Sequence, residues 1–533
     1  MEPLTVSNQE PNSNQRTSEI NNSHKISTPY GTGLAATSPL TPGSLILELR
    51  TPNLLLVEND SLQNVCSYCI LERPSLKRCS ECKIPYYCST SCQNRHWKEV
   101  HGRECKILKT LPDVPPTAVR ALIVMLLRKG NELEGDGEGD WKGLESHVGE
   151  LKGDAKRWEE IFLQARAGLS TNAFRITLPD NSPVGLCFSP TLARANHSCT
   201  PNAFIVFDSR TVSLRALRPI KREEQIFISY IDPTDDLSSR QSKLKHRYFF
   251  TCKCARCEHD ENAYEYFFSC RKEEETGDEC AKRMDVLYPQ QELVKTAEHC
   301  QASLTHKSTL TSTNLSKSIS LLNQSHSTNH ATRISHLLNA VNSLTPLTTN
   351  KIFALPPYPE ILHEIYLAYI DAQAFVPALV TLLFLFINCD LFIYPQPYHP
   401  VRVVRLYTIA KLLKHVASLT STELLHDIST DLRVKEEIAK TIQGMDLINS
   451  FHVVIILVWS EAKRSHGEES TFVREVEAEI REVEEVQRLR GPTGERLRRW
   501  MGDLDSAEGR REAERVCGGL RMLVGVMGGI LGW

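Results

Sequence analysis

Seven of the seventeen cysteines in this 533-residue chain fall between positions 66 and 105, and three more fall between 252 and 257. The first group reads Cys66-x2-Cys69, Cys79-x2-Cys82, Cys88-x3-Cys92 and His101-x3-Cys105. Gaps of two or three residues let both members of a pair reach one ion from a single turn. Eight such ligands suit two tetrahedral Zn²⁺ sites, with no coordination position left open for chemistry. Spacing alone leaves open which pair joins which. A segment this short has too small a core to fold unaided, so metal binding supplies about 10 kcal/mol or more of its folding free energy. Buried free cysteines would not fall into four regular pairs. In the second group Cys252, Cys254 and Cys257 supply three thiolates, one short of a closed site, and Cys199 is the natural fourth. His96 lacks a paired cysteine and reads as a surface residue. Cys187, Cys270, Cys280, Cys300, Cys389 and Cys517 read as structural or free thiols.

Short thiolate pairs and an odd cysteine total, without a visible secretory signal, indicate a reducing compartment, here nucleus and cytoplasm. The 62 Lys+Arg against 65 Asp+Glu give a net charge of −3, which argues against nucleic acid as the main partner. Apolar residues at 41% and charged residues at 24% describe an ordinary globular chain, with a length that suggests several domains. The apolar run 375–387 contains Pro377 and is shorter than the ~20 residues a membrane span needs, so it reads as a buried helix and no membrane is expected.

The elements that must hold these groups follow from pattern. Residues 1–26 are polar and read as a disordered arm. Glycine turns at Gly31-Thr32-Gly33 and Pro42-Gly43 flank a strand at 45–49. Residues 115–169 read as helical around an acidic, glycine-rich loop, with a second helix over 141–167. Short strands are expected at 203–207, 212–214 and 225–230. A Ser/Thr/Asn-rich tract within 261–332 reads as a linker. Helical periodicity runs through 333–463, and 472–490 reads as an amphipathic surface helix.

The motifs resemble a known family. Asn196-His197-Ser198-Cys199-Thr200-Pro201-Asn202, then Glu223-Glu224-Gln225-Ile226 with Ile228-Ser229-Tyr230, then Cys252-x-Cys254-x2-Cys257, looks like a SET domain with its post-SET zinc site. The paired cluster resembles a MYND zinc finger. Its insertion between Gly31-Thr32-Gly33-Leu34 and the Asn-His-Ser-Cys stretch is similar to the SMYD lysine methyltransferases. The run Tyr394-Pro395-Gln396-Pro397-Tyr398-His399-Pro400 resembles part of that family's helical region.

The resemblance implies a multidomain α+β architecture. A β-rich SET core with a pseudoknot would occupy 27–65 and 171–232, the MYND finger 66–105 and a helical insert 106–170. A zinc-binding post-SET segment would cover 233–260, and an all-α, TPR-like region 333–533. It further implies that Cys66, Cys69, Cys88 and Cys92 share one ion and Cys79, Cys82, His101 and Cys105 a second. With Cys199, Cys252, Cys254 and Cys257, three zinc ions are expected. The implied partners are a protein substrate bearing a target lysine and proline-containing peptides at the finger, with the chain a monomer.

By the same resemblance Tyr230 is the catalytic tyrosine, Tyr248 the second channel tyrosine and Phe174 a wall residue. S-adenosylmethionine would be held by Tyr30, Gly31, Thr32, His147, Asn172, Asn196, His197, Tyr248, Phe249 and Phe250. The activity implied is methylation of histone or non-histone lysines. A desolvated aromatic channel suits that reaction, because the free lysine pKa is about 10.4 and attack requires the neutral amine. Tyr30 and Thr32 replace the basic flanks usual in the family. They favour an alternative, a weak or inactive scaffold recruiting partners through the finger and the helical region.

Overall fold

The computed structural model describes residues 20–29, 31–132, 171–179, 182–271, 279–305, 317–322, 329–427 and 432–526. Tyr30, His147, Cys280 (its side chain) and the helix expected over 141–167 lie outside that description.

The first half is built from short antiparallel strands. Ser23–Thr28 and Gly31–Ala36 form a hairpin whose register sets Ser27 against Thr32 and Thr28 against Gly31. Leu45–Leu49 joins Thr211–Ala216, which pairs in turn with Ala203–Asp208. A third sheet carries Leu54–Val57, Pro183–Phe188 and Phe174–Thr177 in that order. Leu54–Val57 is buried throughout because it is apolar on both faces. Leu55 and Val57 enter the β core, while Leu54 and Leu56 pack on Ala121, Leu122 and Met125 of the helix Thr117–Glu132. Arg120 of that helix, 1% exposed, donates to the Val57 carbonyl and to Asn59 Oδ1, fixing its seat on the sheet.

The second half is helical around one apolar core that runs from Ala263 to Val526. Phe375–Leu385 is apolar all round, so every residue from Val376 to Leu385 is buried. The stretch Phe375–Ile393 is long and apolar enough to cross a membrane, yet 94% of it is covered by the rest of the chain. Pro400–Ala417 and Thr471–Leu489 pack against Leu447–His466. Thr471–Leu489 buries Phe472, Val473, Val476 and Val483 and leaves its charged face outside.

Three expectations need correction. The arm does not extend to residue 26, because Ser23–Thr28 is a strand and Asn22 N–H bonds the Ile46 carbonyl. Residues 261–332 are not merely a linker. Ala263–Arg271, Glu279–Met284 and Gln290–Thr305 are helices, and Tyr264, Phe267, Leu293 and Ala297 belong to the helical core. The polar tract masked an apolar face at helical spacing just before it. The strand expected over 225–230 shrinks to Phe227–Ile228, which runs parallel to Asn196–His197.

The tip of the hairpin Ala203–Asp208/Thr211–Ala216 joins the pieces. Ser209 Oγ donates to the Cys69 carbonyl at 2.6 Å, and the Arg210 guanidinium lies 4.0 Å over the Tyr68 ring while pairing with Glu99. On the other side Asp208 accepts from the Thr471 backbone N–H at 3.1 Å, and Tyr398 OH donates to the Leu217 carbonyl at 2.9 Å.

Gly185 tests the central sheet. A methyl group there would stand 2.3 Å from the Leu56 carbonyl oxygen, a backbone atom that cannot yield cheaply. Gly185→Ala is expected to destabilise the β-rich half by about 1–3 kcal/mol, read as a lower urea midpoint. An unchanged midpoint would contradict this packing.

Candidate functional site

Among the described residues, three groups of four ligand atoms gather within 4.8 Å of one another: Cys66/Cys69/Cys88/Cys92, Cys79/Cys82/His101/Cys105 and Cys199/Cys252/Cys254/Cys257. A zinc tetrahedron with Zn–S bonds of about 2.3 Å has edges of roughly 3.8 Å. The sulfurs stand 3.7 Å apart at Cys69–Cys88, 3.9 Å at Cys79–Cys105 and 3.5 Å at Cys199–Cys257. None is a disulfide. The donor set also fits electrostatically. A hydrogen bond from Cys69 holds the Cys66 thiol down at about 4, and the same bond pushes Cys69 up. Thiols crowded in this way ionise together only around a cation, and Zn²⁺ suits S₄ and S₃N sets.

Two of the metal groups have buried polar support that sequence reading missed. His101 Nε2 faces Cys82 at 3.7 Å, while its Nδ1 meets Glu104 Oε2 at 2.7 Å with both side chains buried. A carboxylate behind a histidine ligand fixes the ring and its tautomer. The signal was available as Glu104 three residues after His101 on one helical face. His96, expected at the surface, is buried instead. Its Nδ1 bonds Tyr87 OH at 2.9 Å and its ring stacks on His101 at 5.3 Å. The helix Leu237–Tyr248 is capped by Asp236, whose carboxylate accepts from Ser239 N–H, and its buried stripe is Arg240, Leu244 and Tyr248. That i, i+4, i+8 spacing brings Arg240 to 3.8 Å from Cys257 Sγ, a cation beside the thiolates, and points Tyr248 toward Tyr230.

Beside the third group lies an aromatic cluster. The Tyr230 and Tyr248 rings are 4.9 Å apart, His197 is 5.3 Å from Tyr230, and Phe250 is 5.8 Å from His197. Tyr230 OH donates to the Ala195 carbonyl at 2.8 Å, and Tyr248 OH donates to the Tyr230 carbonyl at 3.2 Å. Burial raises both phenols above the usual tyrosine range, so both stay protonated near neutrality. Burial also holds His197 down at about 4, so its ring is neutral.

The chain segments beneath are locked by Asn202, which is fully buried. Its Oδ1 accepts from Phe227 N–H at 2.7 Å and its Nδ2 donates to the Gln225 carbonyl at 2.8 Å. Asn196 Nδ2 donates to the Thr32 carbonyl at 3.3 Å, drawing the first hairpin onto this pair. At Gly33 an added methyl would stand 2.8 Å from Gln225 Nε2 and 3.1 Å from Asn196 Nδ2. Gln225 Nε2 is buried without a partner among the described residues. Two side-chain amides thus converge on a glycine backbone, a donor set suited to an anionic or polar ligand group.

The remaining predicted residues are more dispersed. Gly31 adopts φ +106° at the exposed edge of the hairpin. Asn172 bonds its neighbour Thr171, and Phe174 begins a strand, half-buried against the β core. Phe249 takes the left-handed cap position after Tyr248 and is 43% exposed. The His197 side chain, expected to reach the cofactor, has both ring nitrogens engaged within the protein. Nδ1 accepts from Tyr230 N–H at 3.0 Å and Nε2 faces Cys199 Sγ at 3.3 Å.

Metal analysis of the purified chain is expected to return three zinc ions. Glu104→Gln should weaken the site at Cys79/Cys82/His101/Cys105 by about 10–100-fold in chelator competition. Retention equal to the parent protein would remove Glu104 from metal binding.

Comparison with known proteins bears on the same residues. The SET domain profile matches residues 31–231. "SET domain and MYND-type zinc finger protein 6" of Schizosaccharomyces pombe is 33% identical over 258 residues, 44% of this chain and 52% of that protein. "Histone-lysine N-methyltransferase SMYD3" of Homo sapiens is 34% identical over 255 residues, 43% of this chain and 59% of that protein. "Histone-lysine N-methyltransferase ASHR1" of Arabidopsis thaliana is 30% identical over 286 residues, 46% of this chain and 58% of that protein. The chain therefore spans a little over half the length of these curated relatives. A solved structure of the SET domain of LSMT bound to lysine and AdoHcy overlaps 92% of this chain and 90% of that one. Its 12% identity and TM-score of 0.25 carry no argument. The matched SET segment encloses the paired thiolates, Asn196-His197 and Tyr230, so this part of the chain is similar to SET domains, and the chain is similar to SMYD-named relatives.

Proposed function

We propose that this chain is a protein-lysine N-methyltransferase that uses S-adenosylmethionine, with the lysine amine entering beside Tyr230 and Tyr248. The reading is carried by one observation. Two protonated tyrosines pack at 4.9 Å with their hydroxyls held by backbone carbonyls, next to the 196–197/227–228 pair and its converging amides. The relatives' histone-lysine methyltransferase names support the reaction class, and with it a place in nucleus and cytoplasm. The proposal includes a pseudoknot at 196–202/225–230, a MYND finger at 66–105 that takes proline-containing peptides, and a post-SET zinc site at 252–257.

When bound, the cofactor supplies an electrophilic methyl group on a sulfonium. Gly33, Asn196 and Gln225 would hold its polar end, and Phe250 would pack on its adenine. Tyr230 and Tyr248 do the remaining work by position. Their rings replace water around the lysine stem, which penalises the ammonium and favours the free amine. Each hydroxyl spends its proton on a carbonyl, so its oxygen lone pairs face the amine and orient it. Neither phenol ionises near neutral pH, so neither removes the lysine proton. That proton leaves to solvent before the amine is enclosed. Rate then derives mainly from alignment of the attacking nitrogen with the methyl group.

A methylation assay on a lysine-peptide array decides the matter. Tyr230→Phe should lower kcat by about a hundredfold or more. It should cost only about 1 kcal/mol of stability, through the lost bond to Ala195. The parent rate should rise with pH as the substrate lysine loses its proton, with no falling limb from tyrosine below pH ~10. Unchanged labelling in the variant would remove Tyr230 from the mechanism. Absence of cofactor binding in calorimetry would leave the scaffold reading.

A further inference from the structure

The parallel ladder between 196–197 and 227–228 ends where the chain needs one more acceptor. Phe227 pairs with Asn196 and Ile228 with His197, and Ser198 N–H reaches back to the Ile228 carbonyl. The chain then turns away at Cys199, whose sulfur belongs to the third metal group. The next N–H on the opposing strand, that of Tyr230, therefore meets the imidazole of His197 in place of a backbone carbonyl. Because Nδ1 accepts from Tyr230 N–H, the ring's donor is Nε2, which faces Cys199 Sγ at 3.3 Å. The ring is wedged between Tyr230 and Phe250, so it cannot swing out of either contact without disturbing the aromatic cluster.

We infer that His197 is a positioning residue, a strut that ties the zinc site at Cys199/Cys252/Cys254/Cys257 to the backbone of Tyr230. One N–H donates to a zinc-bound thiolate and one lone pair holds the channel tyrosine, so loosening the metal loosens the tyrosine and the reverse. Its kinetic consequence rests on the methyltransferase reading above, whereas its effect on the metal does not. The ring has no nitrogen left for the cofactor. Substitution should therefore act on kcat and zinc retention rather than on cofactor KM.

Three variants separate the two contacts. His197→Ala removes both. His197→Asn keeps an acceptor near the Nδ1 position and drops the donor to sulfur, while His197→Gln keeps a donor near Nε2 and drops the acceptor. Zinc release to a colorimetric chelator and steady-state kinetics are measured on the full chain. His197→Ala should release one of the three zinc equivalents about 10–100-fold faster and lose a similar factor in kcat, with cofactor KM within about threefold of the parent. His197→Asn should recover most of kcat while one zinc stays labile, and His197→Gln should retain zinc while kcat stays low. Should the alanine variant not fold, the asparagine and glutamine pair decides. Equal zinc release in those two, or parent-like release in all three, would overturn the strut. A parent protein without methyl transfer would overturn the proposed reaction instead, and the zinc contrast would still decide the role of His197.

Discussion

Two residues of parallel pairing, Asn196–His197 beside Phe227–Ile228, are the constraint on which the site depends. So short a ladder contributes only about 1 kcal/mol per hydrogen bond, far too little to hold segments this distant in sequence. Its neighbours make it rigid. Asn202, wholly buried, bonds 225 and 227 from one side, and Asn196 bonds the first hairpin from the other. Beyond His197 the chain passes straight into the metal group at Cys199, so a thiolate anchors the end that lacks further strand. The tyrosine cluster is thus positioned by polar side chains and metal ligation more than by extended sheet.

The same substitution of ligation for core recurs at the finger. Residues 66–105 contribute few large apolar side chains, and their buried interior is mostly ligands, Tyr87, His96 and Glu104. A buried carboxylate such as Glu104 is costly alone, but behind a histidine ligand its charge is offset by the ion. The finger does not hang free. Ser209 and Arg210 hold it from the sheet while the adjacent Asp208 holds Thr471 of the helical half. Three consecutive residues at one turn thereby fix the finger and the helices to a common reference.

The metal ligands were readable because ligand chemistry demands particular residue types at short gaps, and the interleaving came from family resemblance rather than spacing. Tyr230 and Tyr248 were readable only in the company of Asn196-His197-Ser198-Cys199. Arg240 and Asn202 went unassigned because each works through partners far away in sequence, and Glu104 because a carboxylate three residues from a histidine shows no role until the ring is fixed by the metal group. His96 was misplaced for a related reason: a lone histidine among charged residues looks solvated until the stacking ring of His101 and the Tyr87 hydroxyl are in place. The helices after 261 were hidden by composition. Serine, threonine and asparagine dominate 306–328, and their polarity drew attention from Tyr264, Phe267 and Leu293 just upstream.

Charge around the channel follows from the reaction proposed. A carboxylate beside the amine would stabilise the ammonium and oppose attack, so the acidic residues must stand back. Asp232 turns to Thr234, and Asp235, buried to 6% exposure, is neutralised by Lys243 at 2.6 Å. Around the two phenols stand backbone carbonyls, rings and the Arg247 guanidinium, which lies 5.4 Å over the Tyr248 ring, and none of these is a carboxylate that would stabilise the ammonium. A wall of protonated tyrosines can discriminate against the ammonium only while it stays dry, and dryness requires that Tyr230 not drift from Tyr248. In the proposed reaction the rigidity supplied by Asn202, His197 and the thiolates would therefore be part of how the site selects the reactive protonation state, and not only of how it folds.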